Sequence, residues 1–599
     1  DVQWDSDGKT LVHVERRASG SVLVATSDDG ASRNLTDSSL SVSGRVGYGG
    51  GEFTVTNGTV IYTAGGRLYT MALNSGSAKP LIPGFGAAAS PCISVDGKWV
   101  VFVHTYEGVD GLAIVDRAGE LFPRKLAYGD DFAMQPAWHP HGTHLAYIAW
   151  NHPQMPWLGT ELRLLTLAYD TSGVPYAPIS ETLTGDENTS IFQPEFSSDG
   201  RYLAYISDAS GFTHLYLYDI GEGTHTQITD GDFEVGTPGW VQGLRQYMWS
   251  SDNNKIYYIR NQNASHTLWY YDLKAQQSTQ IDVAPYTYLQ QISVSSDDNI
   301  ALLASANNIP ARVITLSEDS APTVRRYAST ERLAPSQLSV SDHLTWQDEK
   351  GDDVHGLYYA PVSETVTGMG VPPLMVLVHG GPTSQRFMNY DNEVQFFTTR
   401  GYAVLQVNHR GGTGYGRAYM DRHAGNWGIY DVQDSISGAQ HLVDKELADA
   451  SRLVIMGGSA GGFTVLQALI EHPGFFKAGI CSYGVSNQFS LLLDTHKFEA
   501  RYSDWLLGAL PDAADTWRER SPQFRANEIV DAMLIFQGTD DNVVPKAQSD
   551  GIVAALKRSG VPHDYIVYEG EGHGWRKPDT IKDFYTKIER FLLQYVIYT

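Results

Sequence analysis

The chain has 599 residues, 42% of them hydrophobic, and 43 basic against 68 acidic side chains give it a net charge of −25. That length exceeds one hydrophobic core and implies two large domains or several small ones. The acidic balance argues against nucleic acid as a partner, since phosphates demand clustered positive charge, and no apolar stretch approaches the length of a membrane span.

Two cysteines, Cys92 and Cys481, are too few for a disulfide framework and lack metal-ligand spacing, so both are expected to be small buried apolar residues. The expected compartment is the cytoplasm, with an export signal removed ahead of residue 1 left open.

Before about residue 330 one unit keeps returning: an apolar or aromatic run, an Asp-Gly-like turn, then a second apolar run. The copies are residues 4–12, 56–62, 93–102, 137–147, 196–205, 248–258 and 294–302, at intervals of about 40 to 60 residues. A hairpin cannot bury its own apolar face, but four strands per repeat arranged radially stack against neighbouring sheets and protect their edges. Seven units imply a seven-bladed β-propeller. The second copy is the weakest, which leaves six or eight open.

From about Leu344 the pattern changes to strands such as Ala403–Val407 alternating with helical stretches such as Asp431–Leu447, which implies a mostly parallel sheet covered on both faces. The expected division is a propeller over 1–335 and an α/β-hydrolase domain over 336–599, the boundary lying between Ser329 and Ser341.

Three short segments of this second part carry the chemistry. Gly457-Gly458-Ser459-Ala460-Gly461-Gly462 follows the apolar run Leu453–Met456 and precedes a helical pattern, so the Gly-x-Ser-x-Gly motif stands in its strand–turn–helix context with Ser459 as candidate nucleophile. A hydroxyl needs a base to take its proton, and His573, in the glycine-rich Glu571–Gly574 loop after a strand-like run, is the candidate. The carboxylate that orients it is Asp540 or Asp541, both past the strand Met533–Gln537, and alternation does not choose between them. Serine, aspartate, histidine is the chain order of α/β-hydrolases. Oxyanion donors are expected from the amide of Ala460 and from the turn after strand Leu374–Val378, with Gly381 favoured and Gly380 next.

With propeller and triad together, the chain resembles the prolyl oligopeptidase family of serine peptidases over nearly its full length. Further segments carrying the resemblance are His379–Pro382, Asn408–Gly416 and Trp427–Asp434. The family's spacing of the aspartate, three residues after a glycine and four before a Val-Pro end, implies Asp541 after Gly538 and before Pro545. The His-Gly-Gly-Pro turn is similar to the acylaminoacyl-peptidase and bacterial aminopeptidase branch, and the segments Arg45–Gly51 and Asn151–Leu162 look like bacterial aminopeptidases that hydrolyse puromycin or release proline.

The resemblance implies a serine exopeptidase that removes the N-terminal residue of short peptides through an acyl-enzyme, without metal or cofactor. An acylaminoacyl-peptidase or dipeptidyl peptidase is the alternative, and a carboxylesterase with the same triad the second. Free-amine preference requires a carboxylate for the substrate's ammonium. Glu161 is the choice, with Glu195 and Glu234 behind it. Phe489, Leu492, Tyr502 and Trp505, between Gly484 and Leu507, are read as lining a side-chain pocket for a bulky or proline residue, with Val544 nearby. The partner expected is a short peptide or aminoacyl substrate, and a homo-oligomer is compatible with the sequence.

Overall fold

The computed structural model describes residues 1–74, 76–365 and 368–598. It divides into two compact units, one of Asp1–Ala306 with Pro310–Thr330 and the other of Asn307–Ile309 with the chain from Glu331 onward. Among the described residues no helix is long and apolar enough to cross a membrane.

The first unit holds seven four-stranded antiparallel sheets, built consecutively from residues 2–34, 53–80, 87–128, 132–186, 191–227, 247–281 and 288–327. The protein is therefore a seven-bladed propeller followed by an α/β-hydrolase unit. Each sequence repeat is the hairpin joining the first two strands of a blade. Its turn is fixed by its own polar residues: the Ser94 hydroxyl donates to Asp96 at 2.6 Å and accepts from the Trp99 amide at 2.9 Å. The same arrangement recurs at Ser197 with Asp199 and Tyr202, and at Ser250 with Asp252 and Lys255. The weak second copy forms a two-residue turn with Asn57 at φ 49° and Gly58 at φ 67°, the left-handed pair that suits a tight hairpin.

The tryptophans of the repeat tie blades together. Trp138 Nε1 donates to the Cys92 carbonyl and Trp249 Nε1 to the Glu195 carbonyl, each at 3.1 Å. The first sheet takes all four strands from the first 34 residues, so the ring closes by packing rather than by a shared strand. Val2, Trp4 and Leu11 pack on Ala301 and Val313, the Trp4 amide donates to Ser293 Oγ at 3.0 Å, and Arg326 meets Glu15 at 2.6 Å.

The second unit is one eight-stranded sheet. Its strands are β1 (Ser341–Gln347), β2 (Asp353–Tyr359), β3 (Leu374–Val378), β4 (Ala403–Asn408), β5 (Leu453–Gly458), β6 (Ala478–Ser482), β7 (Ala532–Gly538) and β8 (His563–Tyr568). The order is β1-β2-β4-β3-β5-β6-β7-β8, antiparallel through β1, β2 and β4 and parallel from there to β8. The central strands are buried along their whole length, which explains their unbroken apolar runs.

The helices that matter below are α1 (Tyr430–Asp444), α2 (Ala460–Glu471), α3 (Gln488–Asp494), α4 (Tyr502–Leu507), α5 (Lys546–Ser559) and α6 (Pro578–Leu592). One helix end differs from expectation. The helix expected to run to Leu447 ends at Asp444, because Glu446 at φ 57° has left the helical region. The last α-helix stops at Leu592 and continues as a π-helical turn over Leu593–Ile597, while Thr599 lies outside the described residues.

Two of the family-like segments are anchors rather than site residues. Arg410, on the chain leaving β4, is buried and paired with Asp434 of α1 through contacts of 2.6 to 3.2 Å, and its other arm meets Asp348 at 2.8 Å. Asp431 of α1 accepts from Gly428 N at 2.7 Å and from Thr464 Oγ1 of α2 at 2.6 Å, fixing the helix that begins at the candidate nucleophile.

Candidate active site

β5 delivers Ser459 to the N-terminus of α2 with φ 58° and ψ −125°, a left-handed conformation that a non-glycine residue adopts only when its surroundings over-determine it. The neighbours explain how. A Cβ added at Gly457 would lie 2.5 Å from the Gly461 carbonyl oxygen, so the turn closes only without side chains there. The Ser459 amide donates to the Ser482 carbonyl on β6 at 3.0 Å. As the first residue of α2, Ala460 has an amide with no acceptor in the helix, aimed where the helix dipole favours negative charge.

Asp541 and His573 meet in the structure. Asp541 Oδ2 is 2.8 Å from His573 Nδ1, and Oδ1 accepts from the amides of Val543 and Val544, each at 2.9 Å. Gln537 of β7 adds a longer contact at 3.4 Å. Asp540, the alternative that alternation left open, is exposed and accepts from the adjacent Thr539 hydroxyl at 2.9 Å. The histidine loop is held by Glu571, whose carboxylate accepts from the Arg576 and Lys577 amides at 3.0 Å.

Tyr483, which the sequence reading missed, connects the two halves. Its ring centroid is 4.5 Å from that of His573, and a Cβ at Gly458, the residue before Ser459, would fall 2.8 Å from the same ring. A hydrogen bond between Ser459 and His573 is not among those that the described residues form, and in substrate-free sites this contact commonly tightens only on binding.

The turn after β3 supplies the opposite wall. Gly381, at φ 125°, lines one cavity with Ser459 and Ala460, whereas Gly380 lies behind it against the Gly458 carbonyl. His379 backs this turn. It is buried, its Nδ1 is 2.9 Å from the Gly380 carbonyl, and it heads a stack in which His379 and His409 lie 4.4 Å apart and His409 and His423 5.4 Å apart. Burial and neighbouring imidazoles push His379 well below the ordinary histidine range and burial brings His423 to about 4, so both rings stay neutral at physiological pH.

The cavity is about 40 Å³. Trp427, Val485, Tyr502, Leu506 and Val544 are buried, while Thr495 and Glu499 are half-exposed. Of the residues expected to line a pocket, Tyr502 and Val544 do so, with the Tyr502 hydroxyl engaged by Thr383 at 2.5 Å. Phe489 and Trp505 do not line it. Phe489 faces Trp517 and Phe524 at 5.6 and 6.4 Å, and Trp505 stacks between Tyr502 and His423.

Helical phase is the reason for Phe489: Leu491 of α3 lines the cavity, as does Thr495 just past the helix end, and position 489, two residues before Leu491, is on the other side of the helix. Nor does the cavity suit a bulky side chain, since a hole that takes benzene is about 150 Å³.

The propeller carboxylates named as amine anchors are engaged inside their own unit. Glu161 meets Arg163 at 3.0 Å and the Thr182 hydroxyl at 2.7 Å, and Glu234 accepts from the Thr213 amide and hydroxyl at 2.7 and 2.5 Å. Desolvation pushes Glu195 up to about 7 despite the opposing influence of Arg245. The two glycine- and proline-containing segments of the propeller meet through Trp240, whose ring lies 5.5 Å from Tyr48 and 4.2 Å from Trp157. Among the described residues no group of three or more His, Cys, Asp or Glu could hold a metal ion.

Residues 388–597 match the prolyl oligopeptidase family, and residues 182–308 match the dipeptidyl peptidase IV N-terminal region. A puromycin-hydrolyzing peptidase of Mycobacterium tuberculosis has a similar structure, with a TM-score of 0.92 and 28% identity over 99% of this chain and 94% of that one. Dipeptidyl aminopeptidase BIII of Pseudoxanthomonas mexicana is 37% identical over 227 residues, 37% of this chain and 33% of the relative, so that match spans about a third of its length. Acylamino-acid-releasing enzyme 1 of Oryza sativa subsp. japonica is 23% identical over 545 residues, covering 78% of this chain and 68% of the enzyme. A strained serine between strand and helix and an Asp–His pair beside it agree with these likenesses: residues 388–597 are a prolyl oligopeptidase family domain, preceded by a propeller that carries a dipeptidyl peptidase IV N-terminal region.

Proposed function

We propose that the protein is a serine exopeptidase that hydrolyses the N-terminal residue from short peptides. The observation that carries this reading is the Asp541–His573 pair next to a strained Ser459, which shares a cavity with Gly381 and Ala460. Ser459 attacks the scissile carbonyl while His573 takes its proton through Nε2, and Asp541 holds the ring with its proton on Nδ1. The amides of Ala460 and Gly381 receive the developing oxyanion. His573 then protonates the leaving amine, and water attacks the acyl-enzyme by the same route in reverse.

A second reading, release of acylated residues or of dipeptides, is favoured by the relatives with those names. Labelling by a fluorophosphonate that is lost in Ser459→Ala, followed by rates on aminoacyl, N-acetylaminoacyl and dipeptidyl anilides, separates them. Turnover of simple nitrophenyl esters alone would refute the peptidase reading.

A further inference from the structure

From the ring packing around His573 we infer that Tyr483 is a positioning residue for the general base: its ring, rather than its hydroxyl, holds the imidazole where it can take the Ser459 proton. This rests on the reading of Ser459, Asp541 and His573 given above and deepens it.

A base carried on a glycine-rich loop needs more than one restraint. Gly570 and Gly574, at φ 66° and 115°, leave the loop few conformational preferences of its own. Asp541 holds the imidazole through one hydrogen bond at Nδ1, 2.8 Å long, and about a single contact the ring is free to turn. Among the described residues Tyr483 is the one aromatic ring packed on it, with centroids 4.5 Å apart and planes inclined at 51°. The loop grips that ring twice. Trp575, beyond Gly574, packs on the same Tyr483 ring at 5.3 Å, and is itself tied to Phe536 of β7, Tyr568 of β8 and Phe584 of α6 at 6.4, 5.0 and 5.8 Å.

Tyr483 is fixed to receive this grip. It follows β6 at φ 40°, a conformation that a bulky residue adopts only where its surroundings impose it, and its amide donates to the Phe536 carbonyl of β7 at 2.8 Å. The ring also lies against Gly458, where an added Cβ would fall 2.8 Å from Cε2. Among the described residues its hydroxyl makes no hydrogen bond. What Tyr483 contributes is therefore the ring itself. Without it the imidazole keeps its contact with Asp541 but is free to turn Nε2 away from Ser459, and a 1 Å misplacement of a reacting group is worth roughly 100-fold in rate.

The test uses the full chain, unaltered and as Tyr483→Ala and Tyr483→Phe, and reads the rate of fluorophosphonate labelling, which needs the base but no particular peptide. Tyr483→Ala should label roughly 100-fold more slowly. Tyr483→Phe, which restores the ring, should recover labelling to within about threefold, because the hydroxyl it lacks was unbonded. The pH profile separates a loosened base from a damaged turn at the nucleophile. In the unaltered protein labelling should level off once His573 has lost its proton; in Tyr483→Ala it should go on rising with hydroxide, because the base no longer sets the rate.

A slowed Tyr483→Ala whose profile keeps its plateau would overturn the assignment in favour of a prop for Ser459, and so would unchanged labelling of that variant. Equal losses in Tyr483→Ala and Tyr483→Phe would move the role to the hydroxyl and overturn it as well. Should Tyr483→Ala fail to fold, Tyr483→Leu, which fills much of the space without a flat ring, decides by the same two readouts. An unaltered protein that does not label at all would refute the triad reading itself, and this inference with it.

Discussion

The carboxylate of Asp541 is shared between His573 Nδ1 at 2.8 Å and two backbone amides at 2.9 Å, so these contacts hold it in one orientation. Asp541→Asn keeps the shape but offers the wrong hydrogen-bonding partner to the ring. It should reduce kcat by about 10⁴-fold, with KM little altered. Asp540→Asn, at an exposed neighbour, should stay within about threefold by the same assay, because surface changes of this kind are nearly neutral.

Gly457 has no room for a methyl group, since its Cβ would lie 2.5 Å from a backbone oxygen that no rotamer change can move. Gly457→Ala should therefore displace the turn that carries Ser459. Fluorophosphonate labelling should slow by at least about 100-fold in protein that still folds, the cost of a 1 Å misplacement.

The ion pair between Arg410 and Asp434 is fully buried, with side-chain exposures of 1% and 0%. Removing Asp434 strips the fully buried partner from the guanidinium and leaves its charge balanced from the Asp348 side alone among the buried contacts. Asp434→Ala should cost about 3 to 5 kcal/mol in denaturant unfolding of the catalytic unit. Asp348→Ala, which leaves the Asp434 contacts in place, should cost less.

His423 contributes a pH dependence whose sign is set by its depressed pKa. Burial lowers it to about 4, against the opposing pull of Asp431 and with help from His409. Above pH 6.5 the ring is neutral in folded and unfolded chains alike. Between 6.5 and about 4 the unfolded chain takes a proton that the folded one refuses, so stability falls by about 1.4 kcal/mol per pH unit for this residue and levels off below. His423→Gln should flatten the loss of thermal stability across that window. An unchanged slope would show that other groups, such as His355, also brought to about 4 by burial, dominate acid unfolding.

Ring closure in the propeller sets apolar packing against a surface ion pair. Leu11, buried against Ala301 and Val313, should cost about 2 to 5 kcal/mol when cut to alanine. Arg326 meets Glu15 at 2.6 Å but is 42% exposed, and Arg326→Gln should cost no more than about 1 kcal/mol. Urea unfolding followed by tryptophan emission distinguishes the two.

Local chemistry determined what the chain could state by itself. Each propeller turn is closed by residues a few positions apart, as Ser94, Asp96 and Trp99 are, so seven turns could be counted without coordinates. The bend at Ser459 needs glycines beside it, and that requirement is written in adjacent letters. The choice of Asp541 over Asp540, the wedge of Tyr483 between Gly458 and His573, and the turning of Phe489 away from the cavity while Glu499 faces it were decided only by the tertiary structure. These depend on where separate strands and helices bring side chains together and on which face of a short helix meets a wall. Such contacts are set by packing across tens of residues, and composition, periodicity and spacing along one segment do not encode them.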